Sequence, residues 1–509
     1  MLKVKNTLNP ELILTIINQD MNSNKKRIAG IGQRYYEGEH DIKQYRVFYF
    51  DDDGQLVEDT TRSNIKIAHP FFTELVEQKA QYFLSGKENF VRSDIPELQE
   101  ELNKYFGDEF KAELSEQISG CSIKGFDYIY AKKGKDDRLC FEYADGMGVI
   151  EVLAKDNGNP EDDNDYIIYH YIDTERTEKG IKEVMKIEVW DKDKTYYYEK
   201  TNGIRGKVKK GDIGLVLDPK AKINPRPHVV YQEGDKYYGD GFDFIPFWRL
   251  DNNRKQMNDL KPIKSLIDDY DLMSCGLSNN LQDISEGVYV VKGYNGSDLT
   301  KLQQNIRSKK IVGVGKEGDL DIRTINIPYE ARRTKLELDE TNIYRFGMGF
   351  NSAQLGDGNV TNVVIKSRYA LLDLKCNKLE TNVRALMRDL LEPVLAEINE
   401  ANGTGYTQED VYFNFEREII TNEIDNAQIE LTEAQRRQTE ISTLLNIATK
   451  LPEETLVELI FEQLDLNYED YKDKIEAKLK ENSVDINAAS EELANAATED
   501  EQPIEPPIA

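Results

Sequence analysis

Residues 260–284 read LKPIKSLIDDYDLMSCGLSNNLQDI, and this stretch decides the architecture. Leu260, Ile263, Ile267, Tyr270, Met273, Leu277, Leu281 and Ile284 recur at steps of three and four, the signature of one helix face. Pro262 lies near the start, where a missing N–H is tolerated. Counted from residue 255, the helix would be about 45 Å long at ~1.5 Å per residue. A compact strand–helix–strand–strand pattern follows in VYVVKG, DLTKLQQNIR, KKIVGVG and DLDIRTINI, residues 288–327, and Pro328 ends it. A second helix is expected over 329–346, so two long helices flank a small strand-rich insert.

Beyond them lies GMGFNSAQLGDGNVT, residues 347–361, a loop too rich in glycine and small polar residues to bury a core. Thr361 then caps the longest helix. Its apolar seam is Ile365, Tyr369, Leu372, Cys376, Leu379, Val383, Leu386, Leu390, Val394 and Ile398. Pro393 removes a backbone donor and should bend it near residue 389. Lys366, Arg368, Lys375 and Lys378 read as its solvated face. A short strand, VYFNF, and acidic helices come next, and the tail from residue 488 is expected to be disordered.

Toward the N-terminus, residues 9–37 read as one or two helices, 70–84 as another, and 94–120 as one long helix on Leu98, Leu102, Tyr105, Phe110, Leu114 and Ile118. From 126 to 233 the period falls to two, through DYIYA, RLCFEY, GVIEVL, YIIYHYI, VMKIEVW, TYYYE and HVVY, a series of antiparallel strands. The fold class is therefore α+β.

Net charge is −28, of which the last 103 residues carry −18, from 26 acidic and 8 basic side chains. No basic block exists, so the chain does not clamp phosphates over a large surface. No apolar run reaches the ~18 residues of a spanning helix, and the N-terminus does not read as a secretory signal. Cys121, Cys140, Cys275 and Cys376 are scattered, as are His40, His69, His170 and His228, so no metal-ligand spacing arises.

GVGKEG at 313–318 matches GxGxxG literally, but a strand rather than a helix follows, so a hairpin turn is the better reading. The 347–361 loop lacks GK[ST] and reads as a flexible connection rather than a phosphate cradle. Acidic pairs such as Asp268-Asp269 read as solvated surface, and His40 and His69 as turn or capping residues. No nucleophile elbow is present. Catalytic, metal and cofactor sites are all expected to be absent, and the chain is read as no enzyme. A nucleotide-binding enzyme built on GVGKEG is a weaker alternative.

The order of elements resembles the portal proteins (head-to-tail connectors) of tailed bacteriophages, especially those of siphophages of Gram-positive hosts. Four segments carry the resemblance: RYYEGEHDI (34–42), NIKIAHPFFTELVEQKAQYFLSGK (64–87), IPFWRLDNNRKQMNDLKPIKSLIDDYDLMSCGLSNNLQDI (245–284) and NSAQLGDGNVTNVVIKSRYALLDLKCNKLE (351–380). The resemblance implies a portal fold, with another virion structural or adaptor protein as the weaker alternative. An N-terminal arm (1–27) precedes an α/β wing (28–254), a stem helix (255–284), a small α/β clip (285–328) and a returning stem helix (329–346). A tunnel loop (347–361), a long kinked wing helix (362–404), a mainly helical crown (405–487) and an acidic tail (488–509) complete it. It also implies a homo-oligomeric ring of about twelve subunits at a capsid vertex, in the virion, reached from the host cytoplasm during assembly. Double-stranded viral DNA would thread the ring during packaging and ejection. The terminase large subunit, head-completion or adaptor proteins, and the major capsid and scaffolding proteins would be partners, with no membrane. On the tunnel loop, Asn351, Gln354, Asp357 and Asn359 become the DNA-facing candidates. In the clip, Lys301, Arg307, Lys309 and Lys310 form a basic group facing DNA, an acidic partner, or a neighbouring subunit's carboxylates.

Overall fold

The computed structural model describes residues 10–51, 53–60, 62–134, 136–153, 164–177, 180–200, 214–233, 236–284, 288–292, 319–323, 328–351, 362–418, 423–447, 450, 452–463 and 471–472. The chain divides into two compact units, Met1–Gly358 with Ile365–Ile419, and Asn359–Val364 with Ile420–Ala509. Helices and small antiparallel sheets alternate throughout the first, so the α+β expectation holds.

In chain order the first unit begins with α1 (Pro10–Met21) and α2 (Asn24–Tyr36), the hairpin β1 (Phe48–Phe50) and β2 (Leu56–Glu58), α3 (Phe71–Phe83) and β3 (Val91–Arg92). The 94–120 segment is two helices, α4 (Pro96–Tyr105) and α5 (Asp108–Lys124), not one. The chain breaks at Phe106 and Gly107 because Phe106 turns into the core, 1% exposed, against Phe110 and Phe141. Periodicity could not show this, since the apolar positions of both helices face the same core.

Strands β4 (Phe126–Lys133), β5 (Leu139–Ala144), β6 (Val149–Leu153), β7 (Asn164–Thr177), β8 (Gly180–Trp190), β9 (Lys194–Lys200), β10 (Leu215–Leu217), β11 (Arg226–Pro227), β12 (Val229–Glu233), β13 (Lys236–Asp240) and β14 (Phe247–Asp251) follow. They form a sheet ordered β10-β9-β8-β7-β6 with β11 on β9, a second ordered β14-β4-β5, and the hairpin β12-β13. All described pairings are antiparallel, as the alternation requires. Neighbouring residues of β7 serve opposite faces. Ile168 packs with Ile13 and Ile17 of α1, while Ile167 packs with Phe126, Trp190 and Phe247.

Two antiparallel helices come next, α6 (Lys264–Ile284) and α7 (Tyr329–Gly347), with Asp269 meeting Lys335 and Gly276 lying near Arg332. Between them β15 (Val288–Lys292) pairs with β16 (Asp319–Arg323), and the GVGKEG segment lies outside the described residues. The α6 helix begins at Lys264, not 255, so its 21 residues span about 32 Å rather than 45 Å. Side chains divert the preceding backbone. Asn253 Oδ1 accepts from the Lys255 and Met257 amides, both at 3.1 Å, its Nδ2 donates to the Met257 carbonyl at 2.6 Å, and Gln256 adopts φ +52°.

Helix α8 (Asn362–Asn402) runs unbroken through Pro393. Its seam from Leu372 to Ile398 packs against Phe83, Leu98, Leu102, Leu114 and Phe141 in the main core. Then β17 (Tyr412–Phe413) pairs with β3, and Val411 and Phe413 join the same core. Residues 405–418, expected to open the crown, thus belong to this first unit. In the second unit, α9 (Glu423–Asn446) packs on α10 (Glu453–Gln463).

Candidate functional site: the root of the helical arm and its glycine-rich loop

The α6–α7 pair is rooted in a cluster of Tyr35, Phe72, Leu75, Val76, Ile123, Leu260, Ile263, Ile267, Ile343 and Tyr344. Polar groups inside this root fix its direction. Asp271 of α6 is fully buried and accepts from His40 Nδ1 at 2.6 Å, from His69 Nδ1 at 2.7 Å and from the His69 amide at 3.0 Å. Burial disfavours the Asp271 carboxylate, but these donors outweigh it and hold its pKa below the usual range. His40 Nε2 lies 3.1 Å from the Tyr35 carbonyl, so both ring nitrogens face oxygen acceptors. His40 stands at the N-cap position of a short 3-10 helix (Asp41–Gln44) and His69 just before α3, so both sit at turns as expected, and their rings in addition tie these loops to α6. The sequence held one clue, that each sits in a loop bordering a helix that must meet α6.

Asp268 and Asp269 are also not merely solvated. Asp268 accepts from the Tyr35 hydroxyl and pairs with Lys264 at 2.8 Å, while Asp269 pairs with Lys335 at 2.5 Å. Lys335 also holds Asp339, which is 2% exposed. These pairs join α6 to α2 and α7.

A second charged knot lies where α3, α8 and the turn before α6 meet. The Lys79 ammonium is enclosed and donates to Asn252 Oδ1 at 2.7 Å and to Asp259 at 3.0 Å. Lys375 reaches the same carboxylate at 3.2 Å. It is therefore not part of a solvated face, although Lys366 and Lys378 are exposed. Burial opposes the charge on Asp259, yet Lys375 and Lys79 depress its pKa strongly. Burial lowers the Lys375 pKa against the pull of Asp259.

This knot reaches the loop. Lys375 Nζ donates to the Gly347 carbonyl at 2.9 Å. Met348 takes φ +55°, ending α7. Gln78 then clamps Phe350 as a strand would, its Oε1 accepting from the Phe350 amide at 2.9 Å and its Nε2 donating to the carbonyl at 2.7 Å. The Phe350 ring stacks on Tyr369 at 4.7 Å. A Cβ at Gly349 would stand 2.0 Å from Leu75 Cδ2, so a larger residue there would force the buried Leu75 side chain to move.

Of the four loop candidates, Asn351 is half-buried, its Nδ2 donating to Glu340 at 2.9 Å. Gln354, Asp357 and Asn359 lie outside the described residues, as do Lys301, Arg307, Lys309 and Lys310. Sequence reasoning missed Gln78, Lys79 and Asp259, which carried no motif.

Burial pushes the Cys121 thiol up to about 12 and the Cys376 thiol to about 11, which makes both poor nucleophiles. Among the described residues no group of His, Cys, Asp and Glu could hold a metal ion, and no helix is long and apolar enough to cross a membrane.

The portal protein of Bacillus phage SPP1 is 31% identical over 363 residues, 70% of this chain and 67% of its own length. The portal protein of Clostridium phage phiCD119 is 25% identical over 435 residues, 82% of this chain and 88% of its own. A solved chain from the neck of a native GTA particle, 11% identical, covers 77% of this chain and 89% of itself at a TM-score of 0.34, too slight a likeness to carry an argument. A sequence model of the SPP1 Gp6-like phage portal proteins matches residues 15–485, and the chain belongs to that family.

Proposed function

We propose that the chain is the portal through which viral double-stranded DNA is packaged and ejected, in a ring of about twelve subunits. Membership of the family makes it a structural protein of the virion, at the capsid vertex. In the finer reading the ring is a passive conduit, and ATP hydrolysis belongs to a docked terminase large subunit. Head-completion proteins take the terminase's place on the clip, and major capsid and scaffolding proteins surround the wing. The subunit itself needs no cofactor, and it assembles in the host cytoplasm.

The observation that carries this reading is the clamped start of the glycine-rich loop. Gln78, Lys375 and Glu340 hold residues 347–351 to wing and arm, so a load on the loop passes to the scaffold. Gln354, Asp357 and Asn359 are the residues assigned to DNA. Asn351 belongs to the anchor and meets DNA only if the Glu340 bond opens. Short polar side chains touch a sliding backbone without holding it, and a net charge of −28 disfavours tight phosphate binding. Lys301, Arg307, Lys309 and Lys310 are assigned to clip contacts with DNA or partner. Their replacement by Gln separates the two: loss of terminase binding to preformed rings marks a partner contact, and loss of DNA retention a DNA contact.

The deciding experiment deletes residues 352–358 and leaves the anchor intact. Rings should still assemble while DNA packaging or retention falls. Loss of assembly would make the loop structural and refute the conduit-loop reading.

A further inference from the structure

A cleft of about 550 Å³ opens between the long helix α8 and strand β14 with the segment leading into it. Its floor includes Phe247 and Ile167, which are 8% and 2% exposed, and the half-buried rings of Phe244 and Trp248 line it too. The core fixes these rings. Phe247 stacks on Tyr130 at 5.1 Å and meets Trp190 edge-on at 5.3 Å, and Trp248 meets Phe141 edge-on at 6.0 Å. A lining held in this way loses little entropy when a ligand enters. The volume fits a small molecule or a single side chain, since ligand sites commonly measure about 300–1,000 Å³.

One wall belongs to α8 and is acidic. Asp389 and Glu392 lie three residues apart on one side of the helix, and both are exposed at the cleft. Neither makes a hydrogen bond or ion pair among the described residues, and Arg388, one turn before Glu392, does not pair with it. By contrast, Asp373 and Glu380 of the same helix pair with Arg417, and Glu397 pairs with Lys133. Burial and the Glu392 carboxylate raise the Asp389 pKa, the direction set by two carboxylates that lack a compensating cation.

Pro393 lines the same wall and has no N–H, so the Asp389 carbonyl lacks its helical donor. Lys192, in the turn between β8 and β9, also lines the cleft, and two carboxylates against this one ammonium leave the lining net negative.

We propose that this cleft binds an aliphatic ammonium cation, with its alkyl stem over Phe244, Phe247 and Trp248 and its ammonium shared by Asp389 and Glu392. Aromatic faces carry partial negative charge, so the rings favour a cation as the carboxylates do. Ionised acceptors also give an ammonium its strongest hydrogen bonds. An anion would meet only Lys192 in this lining, against two carboxylates. A free amine and the side chain of a lysine carry the same chemistry.

The test titrates full-length protein at low salt with butylammonium, butanol and butyrate. It reads the fluorescence of Trp248, one of two tryptophans in the chain. Butylammonium should saturate the signal at least about tenfold more tightly than the other two ligands. D389N with E392Q should weaken it at least about tenfold, at unchanged circular dichroism and melting temperature because both side chains are exposed. K192M removes the competing cation and should tighten it, an outcome that stands even if the double variant fails to fold. A blocked glycyl-lysyl-glycine peptide distinguishes the sources: tighter binding than butylammonium assigns the cleft to a lysine of a partner protein, and weaker binding assigns it to a free amine. Equal binding of the three butyl ligands would make the cleft a merely apolar groove and overturn the proposal. Wild-type affinity in D389N with E392Q, weaker binding in K192M, or no saturable binding of either amine probe would overturn it as well.

Discussion

Replacing Asp259 by Asn tests whether the charged knot holds α3 and the turn before α6 to the long helix α8. The Lys79 side chain is 1% exposed and has two acceptors, Asp259 at 3.0 Å and Asn252 at 2.7 Å. At an effective dielectric of about 20, charges 3.0 Å apart attract by about 5.5 kcal/mol before desolvation. Removing one partner leaves the other charge buried, and such losses are typically about 3–5 kcal/mol. Lys375 loses the same partner but has the Gly347 carbonyl in reserve, so it adds little. We therefore expect D259N to lower the unfolding free energy by about 3–5 kcal/mol, a large share of the ~5–15 kcal/mol of an ordinary domain. Urea unfolding followed by Trp190 and Trp248 fluorescence measures it by linear extrapolation. The double variant K79M with D259N should recover at least half of the loss, because no unpaired ammonium remains at position 79. A loss below about 1 kcal/mol in D259N, or a double variant no better than the single, would refute the reasoning.

Three further outcomes are expected. Asp271 has a depressed pKa, so its stabilisation is complete above the ordinary carboxylate range, near 3.9, and is lost as pH falls through its lower folded value. D271N should therefore be less stable than wild type at pH 7, with a gap that closes as pH falls below about 4, as read from paired melting curves; in the wild type the carboxylate faces both His40 and His69, and the variant offers them an amide instead. Q78A removes two hydrogen bonds to Phe350 and should cost about 1–2 kcal/mol locally, seen as faster hydrogen exchange at the Phe350 amide with little change in the global melt. L390A empties a fully buried seam position and should cost about 2–5 kcal/mol in urea unfolding, whereas K378A on the exposed face should cost under about 0.5 kcal/mol.

Much of this architecture was legible in the chain because its signals are local. The seam of α8 repeats within each turn, so Leu372, Cys376, Leu379, Val383 and Leu386 identify a buried stripe without knowledge of what covers it. The strands between 126 and 233 announce themselves by period two for the same reason. Where one local signal overrode another, the reading slipped. Asn253 pulls the backbone into a turn ahead of Lys264, although Leu260 and Ile263 continue the helical spacing, and Phe106 breaks a helix whose apolar face continues on both sides. The site was less legible. Gln78 and Lys79 look like ordinary polar positions on a helix until Phe350 and Asp259 arrive from 272 and 180 residues away. His40 and His69 meet Asp271 across 231 and 202 residues. Periodicity reports which side of an element is dry, because that depends on neighbours three or four residues off. Which charge a buried charge will meet depends on partners that only the packed fold brings within 3 Å, and there the tertiary structure alone decided.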